Sequence, residues 1–390
     1  MKKFLNILIL FMLTAMPAFC ETLTYSSIPV KDEKTGFEVA RVIVPENFEV
    51  SSTVEWTRDF ENPAKLYMQA KSKESDVTFS YLSSKSYVDN LKTQELKNGE
   101  FDYDFRTVNK KMVSPDEYFR AYILSKNPDA TKITNLSSVD MPSGMDEYLI
   151  GLMYQRIDEL NLTAKSDTRY SKIKITNPII VPQVMTFSYQ SNGKDYKETF
   201  LTMFTSVEYQ FTGKNKNDKS KIKDKKFWTR KGLYSIKAES KDYDKFFDDF
   251  IIFTANSMPN NKAVNALEHV KQEMVTELNP YFVDYNKKST LKNRPSDLFR
   301  RYFEVGLPDY SYIDSMIKPT LSQVRWLVNV IVPQSEFSYR KINQVWRQKF
   351  YVPQKFEYVY MNKTDGSWVI STENQNLKKG WITLKPNHLK

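Results

Sequence analysis

Histidine is the commonest general base and a frequent metal ligand, and this 390-residue chain has two, His269 and His388. His269 sits beside Val270 in an apolar-periodic stretch, the placement of a helix–helix contact rather than a metal ligand. His388 lies close to the last residue. The single cysteine is Cys20. With no His-Glu-x-x-His pattern either, zinc–thiolate sites and Ser–His or Cys–His catalysis lack their residues. No metal and no cofactor is expected, and ten glycines form no phosphate-cradling loop.

A Ser–Lys enzyme needs no histidine. Ser171-Lys172-Ile173-Lys174, Ser220-Lys221-Ile222-Lys223 and Ser338-Tyr339-Arg340-Lys341 fit Ser-x-x-Lys, and Lys34-Thr35-Gly36 fits Lys-Thr-Gly. In penicillin-binding enzymes Lys-Thr-Gly follows the nucleophile; here it comes first, and so Ser- and Lys-rich a chain produces such matches by chance. Paired carboxylates are the remaining route, since glycoside hydrolysis needs two flanking the bond. Asp242, Asp244, Asp248 and Asp249 alternate with aromatics, as on the polar face of a helix. Asp102-Tyr103-Asp104, between Phe101 and Phe105, is the better candidate, for a sugar or a cation. No catalytic residue is assigned; the expected ligand-binding residues are Asp102, Tyr103 and Asp104.

The elements that must position these residues begin with a sheet. Gly36 to Trp56 reads as two strands broken at Pro45, which has no N–H for a ladder. Leu23–Val30, Lys65–Lys71 and Val77–Leu82 add short strands. Ser114-Pro115-Asp116-Glu117 opens a helix with a capping box, and Met145–Leu160 has the period of a second. Val184–Tyr189 and Tyr196–Phe211 predict a hairpin around Asn192-Gly193, which tolerates the positive φ of a type I′ turn. The Lys-rich segment Gly213–Lys226 reads as a solvated loop, because its like charges carry no interleaved aromatic. It leads to a strand over Phe227–Ala238 and a helix over Asp242–Asn256. Beyond Met258-Pro259-Asn260-Asn261, helices are expected at Ala263–Leu278 and Ser296–Phe303, and another after Thr320, where Val324, Val328, Val330, Ile331 and Val332 would equally suit a strand. A hairpin is expected over Phe356–Ile370 around Asp365-Gly366.

Composition bears on place and partner. Met1-Lys2-Lys3, the apolar run Phe4–Leu13 and Ala18-Phe19-Cys20 make a secretory signal peptide, with Cys20 as a possible lipidation site if cleavage falls before it. No later stretch reaches the ~18 apolar residues of a membrane-spanning helix. The formal charge of +10, less Lys2 and Lys3, suits an anionic surface or polymer, or an envelope protein, as partner. The dominance of Lys over Arg, with abundant Asn, Tyr, Phe and Ile, also fits a compositional bias. No nucleic acid is expected.

The opening Gly36-Phe37-x-Val39-x-x-x-Ile43-Val44-Pro45-x-x-Phe48, with the helix Phe246-Phe247-Asp248-Asp249-Phe250-Ile251-Ile252, resembles the PsbP-type α/β/α sandwich over residues 36–257. Extra helices between 114 and 160 and the Lys-rich loop depart from that pattern. The resemblance implies a non-catalytic, extracytoplasmic binding or assembly module. It carries over no site residue, because the shared positions are core and turn positions.

The expected fold class is therefore α+β: a twisted antiparallel sheet with packed helices (PsbP-like sandwich), followed by a smaller, mostly helical C-terminal region ending in a β-hairpin. The expected organisation is a signal peptide at 1–20, a sandwich domain at 22–257 and a C-terminal region at 262–390. The expected function is a secreted or periplasmic, non-catalytic binding or assembly protein of the bacterial cell envelope. The alternative is a glycan-directed envelope hydrolase using paired carboxylates.

Overall fold

The computed structural model describes residues 21–57, 62–90, 97–102, 107–139, 170–213, 223–278, 295–305, 328–329, 331–340 and 347–386. The expected helices at Met145–Leu160 and after Thr320, His388 and Cys20 lie in whole or in large part outside them. The strands in chain order begin with β1 (Thr22–Lys31), β2 (Glu38–Pro45), β3 (Phe48–Trp56), β4 (Ala64–Ser72), β5 (Val77–Leu82) and β6 (Lys85–Asn90). After β7 (Phe101–Asp102) and β8 (Thr107–Asn109) comes helix α1 (Pro115–Lys126), then β9 (Thr131–Val139). Four strands follow: β10 (Tyr170–Ser191), β11 (Lys194–Gly213), β12 (Lys223–Arg230) and β13 (Leu233–Glu239). Helix α2 (Phe247–Asn256), β14 (Met258–Pro259) and helices α3 (Asn261–Leu278) and α4 (Pro295–Val305) lead to the last strands. These are β15 (Gln334–Arg340), β16 (Arg347–Pro353), β17 (Tyr358–Asn362), β18 (Trp368–Ser371) and β19 (Trp381–Pro386).

Strands hold 54% of the structure and helices 21%, in two large sheets of which one is a half-barrel, so the expected helix-packed α+β sandwich is corrected to a mostly β fold. The expected helical C-terminal region is corrected with it. Residues 334–386 form five strands, because Phe337, Phe350, Val352, Val359, Trp368, Ile370 and Leu384 supply buried residues at strand spacing.

The chain divides into two compact units, one of residues Met1–Ser27 with Gln334–Lys390 and one of Ile28–Pro333. In the first, Thr22–Tyr25 of β1 pairs antiparallel with Trp368–Ser371 of β18. The ladder continues through β17, β19, β15 and β16, all antiparallel. The Asp-Gly hairpin joins β17 to β18 through a loop longer than two residues: Asn362 N–H donates to Ser367 O, and Gly366 takes the left-handed conformation at φ 72°. Phe350 stacks on Trp368 with centroids 4.1 Å apart.

In the second unit an eleven-stranded sheet runs β3-β4-β5-β13-β11-β12-β6-β8-β7, with β10 along β11 and β9 outside β10. The Asn192-Gly193 hairpin forms as the sequence predicts, both residues at positive φ (50° and 72°). Its arms run 22 and 20 residues, longer than any helix packed on them, so helices cover the sheet only in patches. Strand β11 pairs with β13 through Tyr196–Leu201 and with β12 through Phe204–Phe211. The single expected strand over Phe227–Ala238 is thus two, broken at Lys231-Gly232.

Helix α1 has the expected capping box: Ser114 Oγ accepts from Glu117 N–H, and the Glu117 carboxylate accepts from Ser114 N–H. It lays Tyr118, Phe119 and Ile123 on one sheet face, against Phe187, Phe200, Phe204 and Trp228. Phe119 and Phe200 stack at 4.5 Å. Helix α2 is buried from Asp249 to Asn256, and Phe250 and Phe253 meet Phe79 on the other face at 5.9 and 5.6 Å. Helices α3 and α4 share a core with Phe37, Val39 and Trp56. Among the described residues no helix is long and apolar enough to cross a membrane.

Candidate functional site

Side chains alternate along β11, so Tyr196, Glu198, Phe200 and Phe204 face α1. Two polar clusters share that face. The first centres on Glu198, which is 6% exposed. Tyr189, two residues from the hairpin turn, donates its hydroxyl to Glu198 Oε2 at 2.9 Å. Lys237, directly opposite Glu198 on β13, donates Nζ to Asn127 Oδ1 at 2.7 Å and lies 4.4 Å from the Tyr196 ring centroid. Asn127 is the C-cap of α1; its Nδ2 donates to Ile123 O at 3.1 Å and reaches the Tyr189 hydroxyl at 3.5 Å. Burial pushes the Glu198 carboxyl up to about 7, against the downward pull of Tyr189 and Lys237. Burial and the adjoining carboxyl together raise the Tyr189 phenol.

The second cluster is cationic. Arg230 of β12 stands directly opposite Lys85 of β6, and Trp228 opposite Tyr87. Tyr87 and Trp228 stack at 4.4 Å, and Tyr118 of α1 meets Trp228 edge-on at 6.3 Å. Lys110 is tied in place by its backbone: its N–H donates to Val88 O at 2.7 Å, and its carbonyl accepts from Trp228 Nε1 at 2.8 Å. Its Nζ lies 5.2 Å from the Tyr87 centroid and 5.4 Å from that of Tyr118, and Lys85 Nζ lies 5.5 Å from Tyr87. Arg230 is 4% exposed. Its guanidinium donates to the carbonyls of Leu82, Ser83 and Lys231 at 3.1, 2.8 and 2.7 Å, and its Nε has no partner among the described residues.

Like charges facing one another across a ladder destabilise it. Desolvation, then repulsion from Lys65, Lys110 and Arg230, lowers the Lys85 ammonium from its ordinary value, with Tyr118 acting the other way. Desolvation and the neighbouring Tyr118 hydroxyl raise the Tyr87 phenol. Among the described residues no ion pair joins Lys85, Lys110 or Arg230 to a carboxylate. Glu55, on the same sheet, stands directly opposite Lys65 and accepts from Tyr67 Oη at 3.0 Å.

The residues expected from the sequence lie elsewhere. Asp102 pairs with Thr107 in the short ladder of β7 and β8, and Tyr103 and Asp104 lie outside the described residues. Of the carboxylates expected on one helix, Asp242 and Asp244 precede α2: Asp242 accepts from Lys245 at 2.9 Å and Asp244 is 3.9 Å from Lys197. Lys34-Thr35-Gly36 is the turn between β1 and β2, held by the buried Asp32, which accepts from Thr35 Oγ1 at 2.6 Å and Trp56 Nε1 at 3.2 Å. His269 stacks on Tyr302 at 5.1 Å, a contact between α3 and α4. Sequence reasoning passed over Lys85-Ser86-Tyr87 and Trp228-Thr229-Arg230. In both, a cation and an aromatic residue share a strand face at two-residue spacing, which is the legible signal. Glu198, alone between Tyr196 and Phe200 on an inward face, gives the corresponding signal for a buried carboxyl.

A mostly β chain with a basic cluster on one sheet face, its three cations not ion-paired to a carboxylate among the described residues, is the class that fold and site define. No family model matches the chain, and no curated protein and no solved structure matches it either. The PsbP-type resemblance rests on its short opening motif and the Phe246–Ile252 segment alone.

Proposed function

We propose that the protein is a secreted or periplasmic binding or assembly protein of the bacterial cell envelope, and that its partner is negatively charged. One observation carries the reading: Lys85, Lys110 and Arg230 gather around Tyr87 and Tyr118, and among the described residues none of the three is ion-paired to a carboxylate, while Asp89, on the same face of β6, accepts from Met112 N–H at 3.0 Å. A surplus of fixed positive charge against aromatic walls attracts anions and gains from their desolvation. The formal charge of +10, less Lys2 and Lys3 of the removed segment, adds a favourable field. The Glu198 carboxyl, near 7, favours the second reading, a carboxylate hydrolase. That reading needs a second carboxyl across a cleft, whereas Glu198 is buried beneath Tyr189.

Two measurements test the proposal. Intact mass of the exported protein should show loss of residues 1–20, or of 1–19 with an acylated Cys20; a retained Met1 defeats the extracytoplasmic assignment. The protein should also bind dextran sulfate, and not neutral dextran, with an affinity that falls steeply as salt rises. Equal behaviour towards the two polymers defeats the anionic-partner assignment.

A further inference from the structure

We propose that the basic cluster is a site for one phosphate-type oxyanion, held by Lys85 and Lys110 beside Tyr87, with Arg230 on the facing strand; the proposal rests on the anionic-partner reading. The geometry sets the ligand's charge. Both ammonium groups lie within 5.5 Å of one ring centroid, which places two cations around a single aromatic side chain.

Lys85 and Arg230 are directly opposed on neighbouring strands, a repulsive arrangement that a bound anion between them converts to an attractive one. Three cations match a multiply charged group. A lone carboxylate would leave most of the charge unbalanced. Arg230 spends its terminal nitrogens on the carbonyls of Leu82, Ser83 and Lys231, which fixes the guanidinium. Its buried Nε is left without an acceptor among the described residues, and a buried donor in that state is costly until one arrives. Tyr87 and Tyr118, whose rings both lie near the Lys110 ammonium, bring two phenol hydroxyls to the cluster. Lysine serves here as a point charge, and tyrosine and the guanidinium supply direction.

A free phosphate and the phosphate of a lipid headgroup share this chemistry, and the experiment separates them. Titrate the full chain by calorimetry with inorganic phosphate, pyrophosphate and succinate, and in parallel measure co-sedimentation with phosphatidylglycerol and phosphatidylcholine vesicles. Repeat each with Lys85→Gln, Lys110→Gln and, as a charge-matched control, Lys378→Gln, whose residue is exposed in the other unit. Each lost charge-assisted contact should weaken binding by roughly tenfold, with Lys378→Gln unchanged. Circular dichroism and thermal melting of each variant establish that it is folded.

Phosphate or pyrophosphate binding that both site variants weaken supports the proposal with a free anion as ligand. Binding only to phosphatidylglycerol vesicles, weakened in the same way, supports it with a headgroup as ligand. Succinate binding as tight as pyrophosphate overturns the phosphate assignment. Anion binding that neither site variant changes overturns the site, and leaves the anionic-partner reading to stand on its dextran sulfate result.

Discussion

Exchanging Glu198 for glutamine removes a carboxyl that burial raises to about 7. The substituted amide would still offer an oxygen to the Tyr189 hydroxyl now donating at 2.9 Å, so the contact survives and the titration does not. Because its folded value lies above its unfolded one, the native carboxyl keeps a proton that the unfolded chain releases. That contribution to stability is complete below pH 4.5, the ordinary glutamate value, and is lost as pH rises towards about 7. At about 1.4 kcal/mol per decade, the displacement corresponds to roughly 3 kcal/mol over that window. The new amide N–H₂ adds a constant cost of about 1–3 kcal/mol if it finds no acceptor. The informative quantity is therefore the gap in unfolding free energy between wild type and Glu198→Gln, followed by urea denaturation from about pH 4.5 to about pH 8. The gap should move by roughly 3 kcal/mol in favour of the glutamine variant as pH rises, because other titrating groups cancel in the difference. A gap that stays constant across the range refutes the claim that Glu198 is held protonated by burial.

Two further outcomes follow from packing. Phe119→Ala removes a fully buried ring stacked 4.5 Å from Phe200 and should cost about 3–5 kcal/mol by urea denaturation; a loss below about 1 kcal/mol would contradict the placement of α1. A fragment of residues 22–261 keeps the eleven-stranded sheet with α1 and α2, but uncovers Phe37, Val39 and Trp56, which pack on α3 and α4. It should melt cooperatively, at a lower temperature and with stronger dye binding than the full chain; an unchanged melting temperature would show that α3 and α4 stabilise nothing.

What was legible in the sequence was local. Asn192-Gly193 announces its hairpin because both residues tolerate positive φ, and Ser114 with Glu117 announces the start of α1 because their side chains satisfy each other's N–H groups. The proportion of sheet was not legible, for a physical reason. Lys85–Asn90 has polar ends around a short core of Tyr87 and Val88. In β15 and β16, Phe337 and Phe350 stand among Ser, Glu, Lys and Arg. Such strands are specified by their neighbours more than by their own period. The basic cluster was hidden likewise: the opposition of Arg230 and Lys85 depends on the register of β12 on β6, between segments far apart in the chain.

The pairing of Thr22–Tyr25 with Trp368–Ser371 has a consequence for the order in which the protein is made. Thr22 and Ser371 are 349 positions apart, whereas the arms of the Asn192-Gly193 hairpin meet as soon as both exist. A chain appearing from its N-terminus builds the second arm of that hairpin long before β1 has its partner. Loop closure grows only logarithmically with length, by about 0.6 kcal/mol per doubling, so the distance is a matter of timing more than of stability. Until β18 emerges, Thr22–Tyr25 presents unpaired backbone along that edge, open to pairing with other chains. Folding of the unit built on β15 to β19 is thereby tied to arrival of the chain's last hairpin, and a chain interrupted before residue 368 would leave that strand segment without its native partner.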